Sequence, residues 1–174
     1  MKAQLSIRPE KEDDIPVIQK INDLAFNQEA EGILVNKLRK SDAFIPELSL
    51  VAESAGQLVG HILFTRIRVL EGESEAPSLA LAPMAVLPDF QSKGVGSALI
   101  KRGLERAKEL AYDSVIVLGH DKYYPRFGFQ PASQWNIRCP FPVPDAAFMA
   151  LALKEGALEN IQGVVEYAAP FNEV

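Results

Sequence analysis

Residues 91–96 read QSKGVG, and the run VGSALIKRGLERAKEL follows without a break from Val95 to Leu110. Glycine has no Cβ atom, so Gly94 and Gly96 let the backbone turn sharply and present several N–H groups to one object. The apolar spacing of the following run indicates a helix, and an anion is favoured at the N-terminus of a helix. The sequence therefore predicts a phosphate-binding loop that opens a helix.

The composition limits the kind of protein that carries this loop. The chain has 174 residues, of which 48% are hydrophobic. This is enough for one core, and we expect a single domain over residues 1–174. The net charge is −5 and the lysines and arginines are scattered, which argues against a nucleic-acid partner. No apolar run is typical of a signal peptide or a membrane helix, so we expect a cytoplasmic protein without a membrane partner.

Cysteine usage excludes two further classes of protein. Cys139 is the only cysteine in the chain. An internal disulfide framework and a cysteine-based metal site both need more than one. We therefore expect no metal in the site.

The remaining sequence alternates between strand and helix patterns. Residues 4–10 read as a strand, and residues 11–26 and 29–40 as two amphipathic helices. The first helix places its apolar residues at helical spacing: Ile15, Ile18, Ile21, Leu24 and Ala25. Residues 48–54 and 58–70 are predicted to pair as a hairpin, followed by the acidic stretch EGESEAPS (residues 71–78) as a surface loop.

The strand before the glycine loop is interrupted by a proline. It reads LALAPMAVL over residues 79–87. Because Pro83 cannot donate a ladder hydrogen bond, we expect a bulge there and free backbone groups near Met84. A short buried strand at 113–119, a helical turn at 122–129 and two or three C-terminal strands complete a mixed α+β or α/β fold.

Two other phosphate-binding motifs have glycines in a similar arrangement. A Walker A loop needs lysine followed by serine or threonine after its last glycine, whereas Gly96 is followed by Ser-Ala-Leu. The dinucleotide fingerprint fits two glycines but has Leu99 at the third position. Asp121 lies at a suitable distance downstream, so this alternative stays open. A glycine-opened helix that binds nothing also stays open, although it does not explain the proline-interrupted strand.

Residues 81–119 resemble the central motif of the GNAT superfamily of acetyl-CoA-dependent N-acetyltransferases. Its pyrophosphate loop reads Q/R-x-x-G-x-G/A, which Gln91, Gly94 and Gly96 match. YYPRFGF resembles a second signature of the family, a tyrosine four residues before Gly-Phe, which falls on Tyr124, Gly128 and Phe129. The resemblance covers about residues 48–130. Residues 117–129 and 143–153 are most similar to the bacterial branch of YhbS-like predicted N-acetyltransferases.

The resemblance implies a fold, a co-substrate and the residues that bind it. The fold would be a GNAT-type central, mostly antiparallel and twisted sheet of about seven strands flanked by helices. The co-substrate would be acetyl-CoA, with backbone groups of Met84, Ala85 and Val86 pairing with its pantetheine arm. An N–H near Met84 would polarise the acetyl carbonyl. The pyrophosphate would contact the loop and the helix start: Gln91, Ser92, Lys93, Gly94, Val95, Gly96 and Ser97.

The same resemblance suggests catalytic residues. Tyr124 is the predicted general acid, because a phenol has a reference pKa of about 10, close to that of an alkanethiol, and can protonate the departing thiolate. No motif supports Tyr123. His120 is the predicted base for the incoming ammonium. Glu29, Glu31 and His61 stay open as alternatives for the base, and so does a chain of water molecules in place of a single residue.

The predicted activity is direct transfer of an acetyl group to a primary amine in a ternary complex. The amine would belong to a small molecule or to a protein lysine or N-terminus, and the acidic chain favours a cationic acceptor such as a polyamine, an aminoglycoside or a lysine. A CoA-binding sensor without turnover is the alternative. A homodimer and a longer acyl chain are left open.

Overall fold

The computed structural model describes residues 4–173. Within this range the chain forms one sheet of nine strands with three α-helices, α1 (Ile15–Phe26), α2 (Ala30–Arg39) and α3 (Val95–Glu109). The strands are β1 (Leu5–Pro9), β2 (Phe44–Ser54), β3 (Gln57–Glu71), β4 (Ser74–Val86), β5 (Ser114–Leu118), β6 (Gln130–Pro131), β7 (Ile137–Arg138), β8 (Phe148–Ala152) and β9 (Gly163–Glu166).

The sheet is mostly antiparallel, as predicted. Its strand order is β1-β2-β3-β4-β5-β8-β6, and β9 pairs with both β3 and β7. Among the strands of the described residues, only the β4–β5 and β7–β9 pairs are parallel. The predicted mixed fold is confirmed. The count of about seven strands was short because β6 and β7 have two residues each, too few to show a sequence period.

The helices cover opposite faces of the sheet. The buried side of α1 and α2 packs with Val51, Leu63 and Ala85. The apolar face of α3 packs with residues of the other face, including Ile62 and Phe64. Neighbouring residues of β3 and β4 therefore alternate between the two layers, as the period of two in a strand requires.

Strand β4 separates from β5 halfway along its length. The two strands pair only at Leu79 and Ala80, whereas β4 continues to Val86 beside β3. Phe64 lies opposite Leu81 and Ile62 opposite Met84. Ala82 and Pro83 thus oppose one residue of β3, which is the bulge predicted from the proline. Beyond it, the side of β4 that faces β5 is open.

The acidic stretch at 71–78 is not a loop, and this prediction was wrong. Leu70 pairs with Glu75 and Glu71 with Ser74, so the hairpin turns at Gly72 (φ +58°) and Glu73. The charges are accommodated in strand positions because the hairpin end is exposed and Arg68 binds Glu75 at 2.7 Å. An exposed hairpin needs no apolar alternation, so its sequence resembles that of a loop.

Helix α1 differs from the prediction at one position. Leu24 is 49% exposed, whereas Ile18, Ile21 and the polar Asn22 are buried.

Within residues 4–173, no helix is long and apolar enough to cross a membrane.

Candidate active site

A cleft of about 1030 Å³ lies where β4 and β5 separate. Its lining comes from α1, α2, the second half of β4, the loop before α3 and the segment after β5. The residues are Ala25, Phe26, Glu31, Leu34, Leu81, Ala82, Pro83, Met84, Ala85, Val86, Phe90, Gln91, Ser92, Gly94, Gly96, Ser97, Leu118, Gly119, His120, Tyr123, Tyr124 and Arg126. Of the residues predicted for catalysis and co-substrate binding, only Lys93 and Val95 are not part of this lining.

The two exceptions have different surroundings. The Val95 side chain is 5% exposed and packs in the core, so only its backbone is available to a ligand at the start of α3. Lys93 is exposed, and its Nζ lies 5.8 Å from the centre of the Phe90 ring.

Residues 91–97, here called the glycine loop, depend on their two glycines for different reasons. Gly94 has φ +88°, a left-handed conformation that favours glycine, and no atom lies within 4 Å of where a Cβ would be. A Cβ on Gly96 would lie 3.1 Å from the Tyr123 hydroxyl and 3.3 Å from Met84 Cε. The backbone conformation favours glycine at position 94, whereas the limited space beside Tyr123 and Met84 favours it at position 96.

The glycine loop also presents unpaired backbone donors. Gly94 is the N-cap of α3, and its carbonyl accepts the Ala98 N–H at 3.0 Å. The N–H groups of the first helical residues, Val95 to Ser97, precede that first bond and have no partner within the helix. They lie at the positive end of the helix dipole, which favours an anion.

Hydrogen bonding in β4 alternates between β3 and the open edge. The Leu87 N–H donates to the Val59 carbonyl at 2.9 Å, which fixes the register of the antiparallel ladder. Alternation along that ladder turns the backbone groups of Ala85 toward β3 and those of Met84 and Val86 toward the open edge. The Gln91 amide donates to the Val86 carbonyl at 3.0 Å and so attaches the glycine loop to the end of β4.

Two adjacent tyrosines line the cleft from the turn after β5. Tyr124 is 8% exposed, and its ring packs edge-on against Phe129 with centroids 5.7 Å apart. Burial raises the pKa of Tyr124 to about 12, and Tyr123 adds to the shift. In the free protein, the pKa of this phenol is therefore further from the pKa of an alkanethiol than the reference value of a phenol is.

Tyr123 contacts the glycine loop instead. Its hydroxyl lies 3.4 Å from Ser97 Oγ, and the Arg126 guanidinium lies 5.6 Å from its ring centre. No sequence motif assigns a role to Tyr123, so the sequence did not predict this contact.

The four residues considered as a base fall into two groups. His120, exposed beyond β5, and Glu31, partly buried on α2, line the cleft. Glu29 is exposed at the N-cap of α2 and is not part of the lining. His61 is fully buried and also outside the lining.

His61 belongs to a buried polar network behind the cleft. The Ser49 hydroxyl donates to the Glu10 carboxylate, and Ser49 Oγ lies 2.9 Å from His61 Nε2. Since the serine proton is used on Glu10, His61 Nε2–H is the donor in the second bond. Arg39 binds Glu10 at 2.7 Å. Burial, with the charge of Arg39, lowers the pKa of His61 to about 3, so this imidazole is neutral.

The cleft includes residues for which the sequence predicted no role in the site. They are Ala25, Phe26, Leu34, Phe90, Leu118, Gly119 and Arg126. They come from separate elements and have no common spacing, so only the fold brings them together. Asp121, the acidic residue of the dinucleotide alternative, is exposed and outside the lining. That alternative also requires a mostly parallel sheet, so it was wrong.

Comparison with known proteins agrees with this architecture. Residues 18–129 match the acetyltransferase (GNAT) family. The chain belongs to this family and is an acyltransferase, which confirms the resemblance seen in the sequence.

Several relatives of the chain are known. Over 134 residues it is 41% identical to the uncharacterized N-acetyltransferase YjhQ of Escherichia coli K12, covering 76% of this chain and 74% of the relative. Over 167 residues it is 35% identical to the uncharacterized N-acetyltransferase YhbS of the same strain, covering 95% and 98%.

Two solved structures have the same fold. The crystal structure of E. coli YhbS in complex with CoA superposes with a TM-score of 0.91 at 31% identity, covering 99% of this chain and 94% of the other. A GNAT acetyltransferase of Brucella melitensis in complex with acetyl-CoA gives 0.79 at 32% identity, covering 97% and 99%.

Proposed function

We propose that the protein transfers an acetyl group from acetyl-CoA to a primary amine, by direct attack in a ternary complex. One observation carries the proposal: the glycine loop, the open edge of β4 and Tyr124 all line the same cleft. Binding of CoA and acetyl-CoA by two proteins of the same fold supports the choice of co-substrate.

In this proposal, acetyl-CoA is held mainly by backbone groups. The first-turn N–H groups of α3 bind the pyrophosphate, with Ser92 and Gly94 shaping the loop around it. Lys93 and Arg126 supply nearby positive charge. The pantetheine arm extends along the open edge of β4, where Met84 and Val86 have backbone groups directed away from β3.

The reaction then needs alignment and two proton transfers. The lone pair of the amine attacks the thioester carbon, the C–N bond forms and the C–S bond breaks. The Met84 N–H stabilises the carbonyl oxygen as charge develops on it. Alignment of two bound reactants alone is worth about 7–11 kcal/mol. The ammonium loses two of its three protons in the process: in net, one ends on the CoA thiolate and the other is released to solvent.

Tyr124 donates the proton to the thiolate, and His120 takes a proton from the amine. Because burial raises the pKa of Tyr124 to about 12, the phenol is fully protonated at neutral pH. The phenolate left after the transfer is disfavoured by the same burial, so it regains a proton before the next turnover. His120 is exposed in the cleft and can pass its proton to solvent.

Thiol release with an amine panel tests the proposal. Purified protein is mixed with acetyl-CoA and each amine, and free CoA thiol and acetylated amine are quantified together. Equal amounts of both products are expected with at least one amine. A protein that binds acetyl-CoA in calorimetry and yields neither product with any amine would instead be the CoA-binding sensor.

A further inference from the structure

One wall of the cleft contains none of the residues proposed to bind acetyl-CoA. Ala25 and Phe26 at the end of α1, with Glu31 and Leu34 of α2, form it and are called the helix wall. With the glycine loop and the edge of β4 occupied by acetyl-CoA, the helix wall and the residues at and after the end of β5 are the parts of the lining left to contact the acceptor.

The helix wall carries a single negative charge. Among the described residues that line the cleft, Glu31 is the only carboxylate, and Arg126 is the only lysine or arginine. Both Glu31 carboxylate oxygens lie 2.9 Å from Gln28 Nε2, so this side chain is oriented by a neighbour on its own side of the cleft. One partly buried carboxylate matches one ammonium group.

The cleft that Glu31 lines also contains exposed apolar side chains. Phe26 is 38% exposed, and Leu118, at the end of β5 in the same cleft, is 40% exposed. A ligand that covers large apolar side chains in a cleft removes them from water, which lowers the free energy of the complex. An alkyl or arylalkyl stem provides a larger continuous apolar cover than a sugar ring or a chain interrupted by ammonium groups.

We infer that the acceptor is a primary amine with one positive charge on an apolar stem, its ammonium bound by Glu31 and its stem packed against Phe26 and Leu118. The inference rests on the proposed acetyl transfer and narrows its substrate class. Polyamines and aminoglycosides would bring additional ammonium groups into a cleft that has no second carboxylate and already contains Arg126. Desolvated charges without partners are costly, so these amines are disfavoured.

The first test compares acceptors with the wild-type protein. Thiol release is measured with 2-phenylethylamine, a lysine residue in an otherwise uncharged peptide, spermidine and kanamycin. We expect kcat/KM for at least one of the first two to exceed that for spermidine and kanamycin by about 10-fold or more. The first two share the inferred chemistry, and their relative rates show whether the apolar stem belongs to a free amine or to a lysine. A preference for spermidine or kanamycin would overturn the inference.

The second test uses a matched pair of variants on α2. Glu31→Gln removes the charge but keeps the shape, and KM for the preferred monoamine should rise about 10- to 100-fold with a smaller change in kcat. Glu29→Gln makes the same change outside the cleft and should leave both values as in the wild type. Acetyl-CoA affinity and the melting temperature, measured for both variants, should not change, which separates lost amine binding from a structural defect.

Failure of this inference is distinct from failure of the proposed function. If amines are acetylated and Glu31→Gln has the KM of the wild type, Glu31 does not bind the ammonium and the inference is wrong while the transfer reaction stands. If no amine in the panel is acetylated, the proposed function fails, and the inference fails with it. Phe26→Ala adds an independent arm, since it should raise KM for 2-phenylethylamine more than for methylamine.

Discussion

The glycine loop and the helix wall face the same cleft but are built in different ways. The loop depends on backbone geometry: Gly94 at φ +88°, Ser92 at φ +62° and the free N–H groups that follow. The helix wall depends on side chains of two helices, Phe26, Glu31 and Leu34. A ligand bound by backbone leaves a local sequence motif, whereas one bound by side chains from separate elements leaves none. The half of the site that binds the co-substrate can therefore be predicted from the sequence, whereas the half that binds the acceptor cannot.

The largest expected effect is at Tyr124, which lies with both halves in one cleft. Tyr124→Phe keeps the buried ring and its edge-on contact with Phe129 but removes the proton donor. We expect kcat to fall about 10²- to 10⁴-fold with unchanged acetyl-CoA affinity. Steady-state thiol release gives kcat and kcat/KM separately.

Tyr123→Phe is the matched control for this prediction. Its hydroxyl contacts Ser97 at 3.4 Å, which is too long for a strong hydrogen bond, so the loss should be less than about 10-fold. Wild-type turnover in Tyr124→Phe would mean that solvent protonates the thiolate. A larger loss of kcat in Tyr123→Phe than in Tyr124→Phe would show that Tyr123 is the general acid.

A substitution in β4 tests the backbone character of the co-substrate half. Val86→Pro removes an N–H that faces the open edge, and acetyl-CoA affinity should fall by about 10-fold. Val86→Thr has nearly the same shape and keeps the N–H, so it should bind as the wild type does. Calorimetric titration with acetyl-CoA measures both. If the proline and threonine variants bind equally well, the pantetheine arm does not pair with this strand.

The two glycines of the loop should respond differently to alanine. Gly94→Ala places a Cβ in a left-handed conformation and should lower the free energy of unfolding by about 1–2 kcal/mol. Gly96→Ala should not lower it, because φ is ordinary there and alanine favours a helix. Its Cβ would instead displace the Tyr123 hydroxyl and the Met84 methyl, which lie 3.1 and 3.3 Å away, and weaken acetyl-CoA binding a few-fold. Urea unfolding and calorimetry distinguish these outcomes, and identical profiles for the two variants would refute the distinction.

The effect expected at His61 is on stability and not on activity, because this residue is outside the lining of the cleft. Its folded pKa of about 3 is below its unfolded value of 6.5, so its contribution to stability is complete above pH 6.5 and is lost as pH falls toward 3. Between pH 6.5 and 4.5, wild type should lose up to about 1.4 kcal/mol per pH unit more than His61→Gln. Urea unfolding at several pH values measures this slope, and parallel curves for the two proteins would show that His61 is not held neutral in the fold.

The sequence was informative wherever a local rule fixes the structure. Pro83 predicted the bulge because a residue without an N–H cannot continue a ladder, and the glycine spacing predicted the loop before α3. The strand at 74–78 was missed because an exposed hairpin has no apolar period. Helical spacing put Leu24 on the same face as Ile18 and Ile21, but spacing does not show how much of that face is covered, and Leu24 is exposed.

The site was less predictable where tertiary contacts decide. Burial raises the pKa of Tyr124 to about 12, and the reference pKa of a phenol cannot show this shift because it depends on packing. His61 and His120 are equivalent as sequence, yet one is in a buried network with Ser49 and the other is exposed in the cleft. Glu29 and Glu31 are two residues apart, and only the orientation of α2 decides which of them lines the site.

Binding of acetyl-CoA at the glycine loop is the central claim, and a pair of glycine substitutions tests it most directly. Gly94→Asp puts a carboxylate where the pyrophosphate is proposed to bind. Gly56→Asp is its control, since Gly56 in the β2–β3 turn also has a positive φ, +78°, and also has no atom within 4 Å of a Cβ. Both variants add the same charge and similar backbone strain. In calorimetric titration with acetyl-CoA, the account predicts wild-type affinity for Gly56→Asp and a loss of about 100-fold or more for folded Gly94→Asp. Wild-type affinity in Gly94→Asp would place the phosphate site elsewhere and contradict the account.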